Sequence, residues 1–322
     1  MASSATGPLS GRIGANGGNA AKRSDPVTVS GRAGADPALA AAGRAGEVAA
    51  PPYDVVDRSE AKALARGRPW SFLHISRPEI DLSDDVDAYD PAVYTQGRQN
   101  LDRMISEGIL ERDEVPCYYA YRLTMGEHRQ TGLVAGASIE AYDRNRIRKH
   151  EFTRPVKEDD RVRQIDALNA QTGPVFLVYP ANTVVDDILR RVSTSPSDID
   201  VTAARDGVRH EIWKIDDPQT IAQLTAAFEA MPAIYVADGH HRSAAGSRVG
   251  KARREANPQH TGEEAYNYFL SVIFPHDQMQ ILDYNRVVRD LNGHSPDTLL
   301  GQVGAVFDVA LSDGPVRPAR SG

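Results

Sequence analysis

The chain has only one cysteine, Cys117, among its 322 residues. A single thiol excludes a disulfide framework and any zinc site built from several cysteines, and it fits a reducing compartment. No apolar run approaches the roughly 20 residues of a membrane-spanning helix, and none resembles a signal peptide. Excess positive charge is also missing, because 37 basic residues face 44 acidic ones, a net charge of −7. The sequence therefore predicts a cytoplasmic protein without nucleic-acid or membrane partners.

The two ends of the chain lack large side chains. All aromatic residues lie beyond Val48, and the first 50 positions are mostly Ala, Gly and Ser. Because such a segment cannot offset its ordering entropy, residues 1–46 are predicted to be a flexible, disordered leader. Residues 311–322 are mostly small or polar and are predicted to be a tail or the end of a truncated chain. The stretch between them, 47–310, is expected to form a single elaborate domain.

Strand and helix patterns are mixed along this central stretch. Apolar or alternating runs predict strands over Tyr118–Arg122, Gly132–Ile139, Pro174–Tyr179, Ala233–Ala237 and Tyr268–Phe274. Apolar residues at helical spacing predict helices over Asp186–Val192, Pro218–Met231 and Arg242–Glu255. The fold class is therefore predicted to be α+β, a mixed sheet with packed helices, although the strand order cannot be derived.

The segment Asp238–Ser243 joins a predicted strand to a predicted helix. Such a turn presents free backbone N–H groups and the positive end of the helix dipole, which suits a phosphate. Gly239 lets a ligand approach the backbone, and Arg242 can clamp phosphate oxygens. Asp238 can hold a metal ion or orient a histidine. The alternative is an ordinary helix start with a capping aspartate and solvated histidines.

A second segment, residues 144–163, carries eight basic and four acidic side chains. This local excess of positive charge in an acidic chain predicts an anion site. Its carboxylates can supply a general base or magnesium ligands. The alternative is a salt-bridged helix surface.

Three further features give weaker indications. The stiff stretch that ends in Tyr53 and Asp54 is predicted to be structural, with these two residues as candidates for lining a pocket. Residues 71–79 are interpreted as a strand, in which His74 is a core or hydrogen-bonding residue. Cys117 has no partner cysteine and lies outside both charged segments, so it is predicted to be a small buried hydrophobe without a catalytic role.

Together these segments resemble a prokaryotic family, the domain-of-unknown-function family 1015. The resemblance covers about residues 47–310 and depends on these stretches in one order: Ala50–Val56, Ser71–Asp81, Arg146–Glu151 with Thr153-Arg154, Lys157–Arg161, Asp166–Leu177, Asp238–Arg242 and Asp283–Gly293. The Asp238–Arg242 run is also similar to the phosphate-binding motif of the ParB/sulfiredoxin-like nucleotide-binding superfamily. Its residues resemble those of the motif in an archaeal ADP-dependent free-serine kinase. His240 stands where sulfiredoxins have a cysteine, and no basic helix-turn-helix follows, so neither sulfinic-acid reduction nor DNA partition is expected.

These residues and the resemblance predict a nucleotide-dependent phosphotransferase, a small-molecule kinase of the free-serine type with a ParB/sulfiredoxin-like core. The predicted catalytic residues are Glu151, Asp238, His240 and His241. The predicted nucleotide- and phosphate-binding residues are Gly239, Arg242, Ser243, Arg154 and Arg161. The expected cofactors are ATP or ADP and Mg²⁺ held by Asp238, and the expected partner is a small-molecule phosphate acceptor. Two alternatives stay open, a metal-dependent phosphoesterase and a nucleotide-sensing module without turnover.

Overall fold

The computed structural model describes residues 29–30, 39–40, 43–282 and 290–310. The described residues form these strands: β1 Val29–Ser30, β2 Leu39–Ala40, β3 Leu110–Glu111, β4 Tyr118–Met125, β5 His128–Ser138, β6 Ile147–Arg148, β7 Val175–Tyr179, β8 Ile199–Thr202, β9 Arg209–Ile215, β10 Ile234–Asp238 and β11 Tyr268–Pro275. They form these helices: α1 Ala45–Val48, α2 Arg58–Ala65, α3 Leu73–Ser76, α4 Pro91–Ser106, α5 Ile139–Asp143, α6 Pro155–Leu168, α7 Thr183–Val192, α8 Pro218–Glu229, α9 His240–Ala256 and α10 Pro296–Gly304. Short 3₁₀ turns cover Tyr53–Val55, Pro78–Asp81, Ala265–Asn267 and His276–Gln278.

Within the described residues, one mixed sheet contains every strand except β2 and β3, which pair with each other. The order is β6-β10-β7-β11-β5-β4-β9-β8, with β1 beside β5. The pairs β6–β10 and β7–β11 are parallel, and the other pairs are antiparallel. Because β10 runs antiparallel to β7, the end of β10 lies beside the start of β7, where Asp238 is opposite Phe176. The predicted fold class, α+β with a mixed sheet, is confirmed.

Most predicted elements occupy the expected positions with small shifts at their ends. This holds for β4, β5, β7, β10 and β11, and for α7, α8 and α9. The largest shift that concerns the site is in α9, which begins at His240 rather than at Arg242. Gly239 explains the difference, because its φ of 96° turns the chain from strand to helix within one residue.

The strand predicted over residues 71–79 is wrong. Helix α3 and the 3₁₀ turn Pro78–Asp81 occupy this stretch. Leu73 packs in a small core with α2, whereas Ile75 packs in another with α4. Two buried residues on different sides of one helical turn give the same local alternation as a half-buried strand, so the sequence pattern was ambiguous.

The main core lies between the sheet and the helices α7 and α8. Leu189 of α7 and Phe228 of α8 are buried against the strands, and Tyr179 meets Phe228 edge to face with ring centroids 5.3 Å apart. Cys117 is buried, as predicted, and burial raises the pKa of its thiol. Among the described residues no helix is both long enough and apolar enough to cross a membrane.

Several sequence predictions concern the ends of the chain. The predicted leader, residues 1–46, lies mostly outside the described residues, which include only β1, β2 and the region around the start of α1 there. The predicted tail, 311–322, also lies outside them, as do residues 283–289 of the last family motif.

Candidate functional site

The turn between β10 and α9 depends on a glycine. β10 ends at Asp238, and Gly239 follows with its φ of 96° before α9 begins. A side chain at this position would be strained, and its Cβ would lie 3.1 Å from Nε of Arg242. The helix can therefore start directly at the end of the strand, where its first backbone N–H groups have no helical carbonyl to bind.

Two helices begin here without a side-chain cap. The other described helices of eight or more residues, α2, α4, α7, α8 and α10, each have an Asp, Asn or Ser that accepts a hydrogen bond from the first turn. The corresponding residues of α6 and α9 are Arg154 and Gly239, and neither side chain caps its helix. The backbone N–H of Arg154 donates to Nε2 of His241 at 3.0 Å. Two positive helix ends therefore meet in one place, which we call the joined N-termini.

Two basic side chains at the joined N-termini have no acidic partner among the described residues. Arg154 and Lys157 are exposed, and neither forms an ion pair within the described part of the chain. The acids that follow them in α6 are already engaged, because Glu158 and Asp159 pair with Arg248 at 2.9 and 2.7 Å. The surplus positive charge favours the binding of an anion.

The two histidines of the turn differ in environment. His240 is only 4% exposed, its ring meets the His150 ring edge to face at 4.4 Å, and its Nδ1 lies 3.5 Å from the Glu151 carboxylate. Burial, and then the neighbouring His150, lowers the pKa of His240. The pKa of His241 is also lowered, first by burial and then by the positive charges of two basic side chains, one in α6 and one at its N-cap. Both shifts favour the neutral ring, and a neutral His241 carries its proton on Nδ1 because its Nε2 accepts a hydrogen bond from Arg154.

We expect the folded state to lose stability as the pH falls below about 6.5, the ordinary pKa of histidine. Because His240 and His241 have lowered pKa values when folded, the unfolded chain then binds protons that the folded chain does not. The titration of these two histidines therefore leaves the free energy of unfolding unchanged above that pH and lowers it below that pH. Urea unfolding at about pH 7.5 and about pH 5.5 measures the change.

The variant His240→Gln should reduce this pH dependence. His294→Gln, which changes an exposed histidine before α10, is the matched control. An unchanged pH dependence in His240→Gln would contradict the assignment of the effect to this ring.

Arg242 is held by two strands. Its Nη1 donates to the carbonyl of Pro174, just before β7, and its Nη2 donates to the Asp238 carboxylate, each at 2.5 Å. The arginine side chain is 16% exposed and that of Asp238 is 68% exposed. Since a guanidinium has five N–H donors, three remain for a ligand. Arg242 thus ties α9 to the sheet and still presents donors to the site.

A narrow cleft of about 20 Å³ opens beside Arg242. It is lined by Tyr53, Arg161, Gln164, Ile165, Gln171, Thr172, Gly173 and Arg242. All of these except Gln164 and Ile165 belong to the stretches that carry the family resemblance. The Arg161 guanidinium lies over the Tyr53 ring at 4.0 Å and pairs with Asp160 at 2.5 Å. The fold therefore brings four segments of the chain to one cleft, which we call the Arg242 cleft.

The structure separates some of the predicted site residues. Arg154 lies at the start of α6 beside His241, whereas Arg161, about two turns along that helix, lines the cleft. Ser243 is fully buried, and its hydroxyl lies 3.1 Å from the carbonyl oxygen of His240 inside α9. Its hydroxyl therefore does not face the joined N-termini.

Sequence reasoning did not single out Lys157, His150 or Gln164. Lys157 and His150 lay within the basic segment, where nothing distinguished them from neighbouring charged residues. Gln164 gave no signal at all, because one glutamine in a helical pattern is ordinarily a surface residue. Only its burial, with 4% exposure, marks it out.

The donors available for a metal ion are few. Among the described residues no group of three or more His, Cys, Asp or Glu side chains is placed to hold one. Asp238 and Glu151 are single carboxylates with side-chain exposures of 68% and 66%. Mg²⁺ commonly binds through one or two carboxylates together with substrate phosphates. The residues present therefore fit an ion that arrives with a nucleotide.

Comparison with known proteins identifies the family. A family model described as "Protein of unknown function (DUF1015)" matches residues 34–321. The chain belongs to the DUF1015 family. No curated protein and no solved structure matches it. The DUF1015 match includes the joined N-termini and the Arg242 cleft, and it begins before and ends after the stretch 47–310 that the motifs indicated.

Proposed function

We propose that this DUF1015 chain binds the phosphates of a nucleotide at the joined N-termini and transfers a phosphoryl group to a small molecule. The observation that carries the proposal is the meeting of two uncapped helix N-termini beside Arg154 and Lys157, which form no ion pair with any described residue. Phosphate oxygens suit this arrangement because they accept hydrogen bonds from several backbone N–H groups and from a guanidinium fork at once. The likeness of the Asp238–Arg242 turn to the ParB/sulfiredoxin motif supports a nucleotide-binding core of that kind around β10 and α9. Use of a nucleotide agrees with the cytoplasmic location that we expect.

An exposed aromatic side chain beside the joined N-termini supports a nucleotide rather than a simple phosphate. Phe152 is fully exposed, and Val156 is 64% exposed. The loop around Phe152 is fixed on both sides, because Glu151 approaches His240 and Arg154 donates to His241. A base attached to the bound phosphates can stack on this ring, a contact worth about 1–3 kcal/mol.

We expect Phe152→Ala to weaken ATP binding about tenfold and to leave the affinity for tripolyphosphate unchanged, because only the base loses its contact. Calorimetric titration of both ligands with Mg²⁺ measures the two affinities. Phe307→Ala, which removes another exposed phenylalanine, is the control. An equal loss for both ligands would show that Phe152 only supports the loop.

The chain's own residues can supply positive charge and a proton acceptor for the chemical step. Phosphoryl transfer needs neutralised charge and alignment more than covalent catalysis, and Arg154 and Lys157 supply positive charge. Glu151, exposed and 3.5 Å from Nδ1 of His240, accepts the proton of the acceptor's hydroxyl. The acceptor oxygen then bonds to the terminal phosphorus, and the nucleotide oxygen leaves with the electron pair of the broken bond. When bound, Mg²⁺ would neutralise charge on the phosphate oxygens.

The decisive experiment measures binding and turnover separately. Titration with ATP, ADP and CTP in the presence of Mg²⁺ tests binding, and mass spectrometry of a metabolite mixture incubated with protein and nucleotide tests for a phosphorylated product. Binding with product formation supports the phosphotransferase. Binding without consumption of any nucleotide would favour the nucleotide-sensing alternative, and failure to bind all three would overturn the proposal.

A further inference from the structure

A larger cavity lies at the opposite end of β7 from the Arg242 cleft. Its volume is about 250 Å³, and residues of β4, β5, α7 and the 3₁₀ turn after β11 line it. The parallel strands β7 and β11 both end here, whereas Arg242 is bonded to Pro174 just before β7 begins. An apolar cavity of about 150 Å³ holds a benzene molecule, so this one has room for a small metabolite. We call it the Arg122 cavity.

Arg122 is held in place at the wall of this cavity. Its guanidinium lies 4.7 Å from the centre of the Trp213 ring, and its Nε donates to the Thr131 hydroxyl at 3.3 Å. Its Nη2 donates to the carbonyl of Ser193 at 3.3 Å, and its Nη1 lies 3.8 Å from the Glu211 carboxylate, beyond hydrogen-bond range. The side chain is 16% exposed. Arg122 therefore keeps unused N–H donors in a position that packing has already fixed, which lowers the cost of binding.

Arg129 adds a positive charge that no described residue balances. Thr131 is opposite Arg122 in the β4–β5 pair, so Arg129, two residues before Thr131, projects from the same face of the sheet. Arg129 is exposed and forms no ion pair within the described part of the chain, whereas the other two arginines of the cavity have acidic partners. Burial lowers the pKa of Arg122, the Glu211 carboxylate opposes this shift, and the like charge of Arg129 adds to it. An anion between the two guanidinium groups would relieve their repulsion.

The neutral groups of the cavity also favour a ligand that accepts hydrogen bonds. Oε1 of the half-buried Gln278 accepts from the backbone N–H of Thr131 at 2.8 Å, which fixes the amide, and its Nε2 has no partner among the described residues. Asp186 supplies the one carboxylate among the described residues that line the cavity. Both of its oxygens already accept, from the Tyr179 hydroxyl at 2.7 Å and the Asn182 backbone at 3.1 Å. The groups left for recognition are mainly N–H donors, on the arginines and Gln278, and such a set suits an oxyanion.

We infer that the Arg122 cavity binds a small organic anion, a metabolite that carries a carboxylate or a phosphate group. The oxyanion lies between Arg122 and Arg129 and accepts a hydrogen bond from Gln278, and the rest of the molecule occupies the cavity beside α7. This second ligand site is separate from the joined N-termini. The inference therefore goes beyond the proposed function and does not depend on it.

Three small probes test the need for an anionic group. Succinate presents carboxylates, glycerol 3-phosphate presents a phosphate, and glycerol has neither. Calorimetric titration of the full chain at low salt measures their affinities. We expect at least one of the anions to bind about tenfold or more tightly than glycerol, and the better anion identifies the group that the cavity selects. Binding of neither anion, or of glycerol as tightly as both, would overturn the inference.

Two variants locate the binding to the cavity. Arg129→Gln removes the unbalanced charge and breaks no described ion pair, so the better anion should bind about tenfold or more weakly at an unchanged melting temperature. Gln278→Glu keeps an oxygen for the backbone N–H of Thr131 and replaces the free donor by a negative oxygen, so it should have the same effect. Arg66→Gln is the matched control, because Arg66, at the end of α2, is also exposed and without an ion pair in the described chain.

The results separate this inference from the proposed function. Affinity for the better anion that is unchanged in both variants would place the anion elsewhere on the chain and overturn the inference. Arg129→Gln should bind ATP as the wild type does, because the cavity and the joined N-termini lie at opposite ends of β7. Failure of the wild type to bind any nucleotide would overturn the proposed function, whereas weaker anion binding in the two variants would still support the Arg122 cavity.

Discussion

Replacement of both Arg154 and Lys157 by alanine should weaken ATP binding about a hundredfold or more, with little change in melting temperature. Each side chain is exposed and unpaired within the described residues, so its loss breaks no ion pair of the fold. A hydrogen bond from a charged group to a phosphate contributes about 1.5–3 kcal/mol, and two such contacts add to at least a hundredfold in affinity. Calorimetric titration at low salt measures the loss.

A matched double variant controls for the change in net charge. Arg66→Ala with Lys251→Ala removes two exposed basic side chains that also form no ion pair in the described chain. This variant should bind ATP as the wild type does, apart from a small and salt-dependent effect of overall charge. An equal loss of affinity in the two double variants would mean that net charge, rather than the joined N-termini, governs binding.

Arg242→Ala should lower both stability and nucleotide affinity. The guanidinium joins α9 to the carbonyl of Pro174 and to Asp238, so its removal should cost about 1–2 kcal/mol of unfolding free energy and lower the melting temperature by a few degrees. Its remaining donors point to a further loss of about tenfold in ATP affinity. A melting curve and a titration of the same preparation measure the two effects independently.

Arg242→Lys separates the two roles of the arginine. Lysine keeps the charge but loses the planar fork, so it cannot reach Pro174 and Asp238 together in the same geometry and should restore only part of each property. Loss of stability with unchanged ATP affinity in both variants would show that Arg242 only ties the helix to the sheet.

Local patterns were sufficient for the strands β7 and β10 beside the site, whereas helix α6 was not predicted, because residues 144–163 were interpreted by their charge alone. The apolar runs that became β7 and β10 and the periodic stretch that became α8 predicted their type correctly, because each has one face buried in the main core. The pattern failed at residues 71–79. There Leu73 and Ile75 are buried in two different small cores. The alternation of apolar residues therefore came from a helix that lies between these two cores and not from a strand.

The same distinction applies to the candidate site. The sequence by itself determined the strand–glycine–helix turn at Gly239, the basic character of residues 144–163 and the burial of Cys117, since each follows from neighbouring residues or composition. Only the tertiary structure decided that α6 and α9 lie side by side with their N-termini adjacent, that Arg242 is already bonded to Pro174 and Asp238, and that Gln164 has a buried acceptor without a partner among the described residues. These features depend on contacts between residues far apart in the chain, such as Arg154 with His241 and Gln164 with Ile75, and on the burial that those contacts create. A periodic pattern reports which face of an element is apolar, and it carries no information about which distant backbone atom that face will meet.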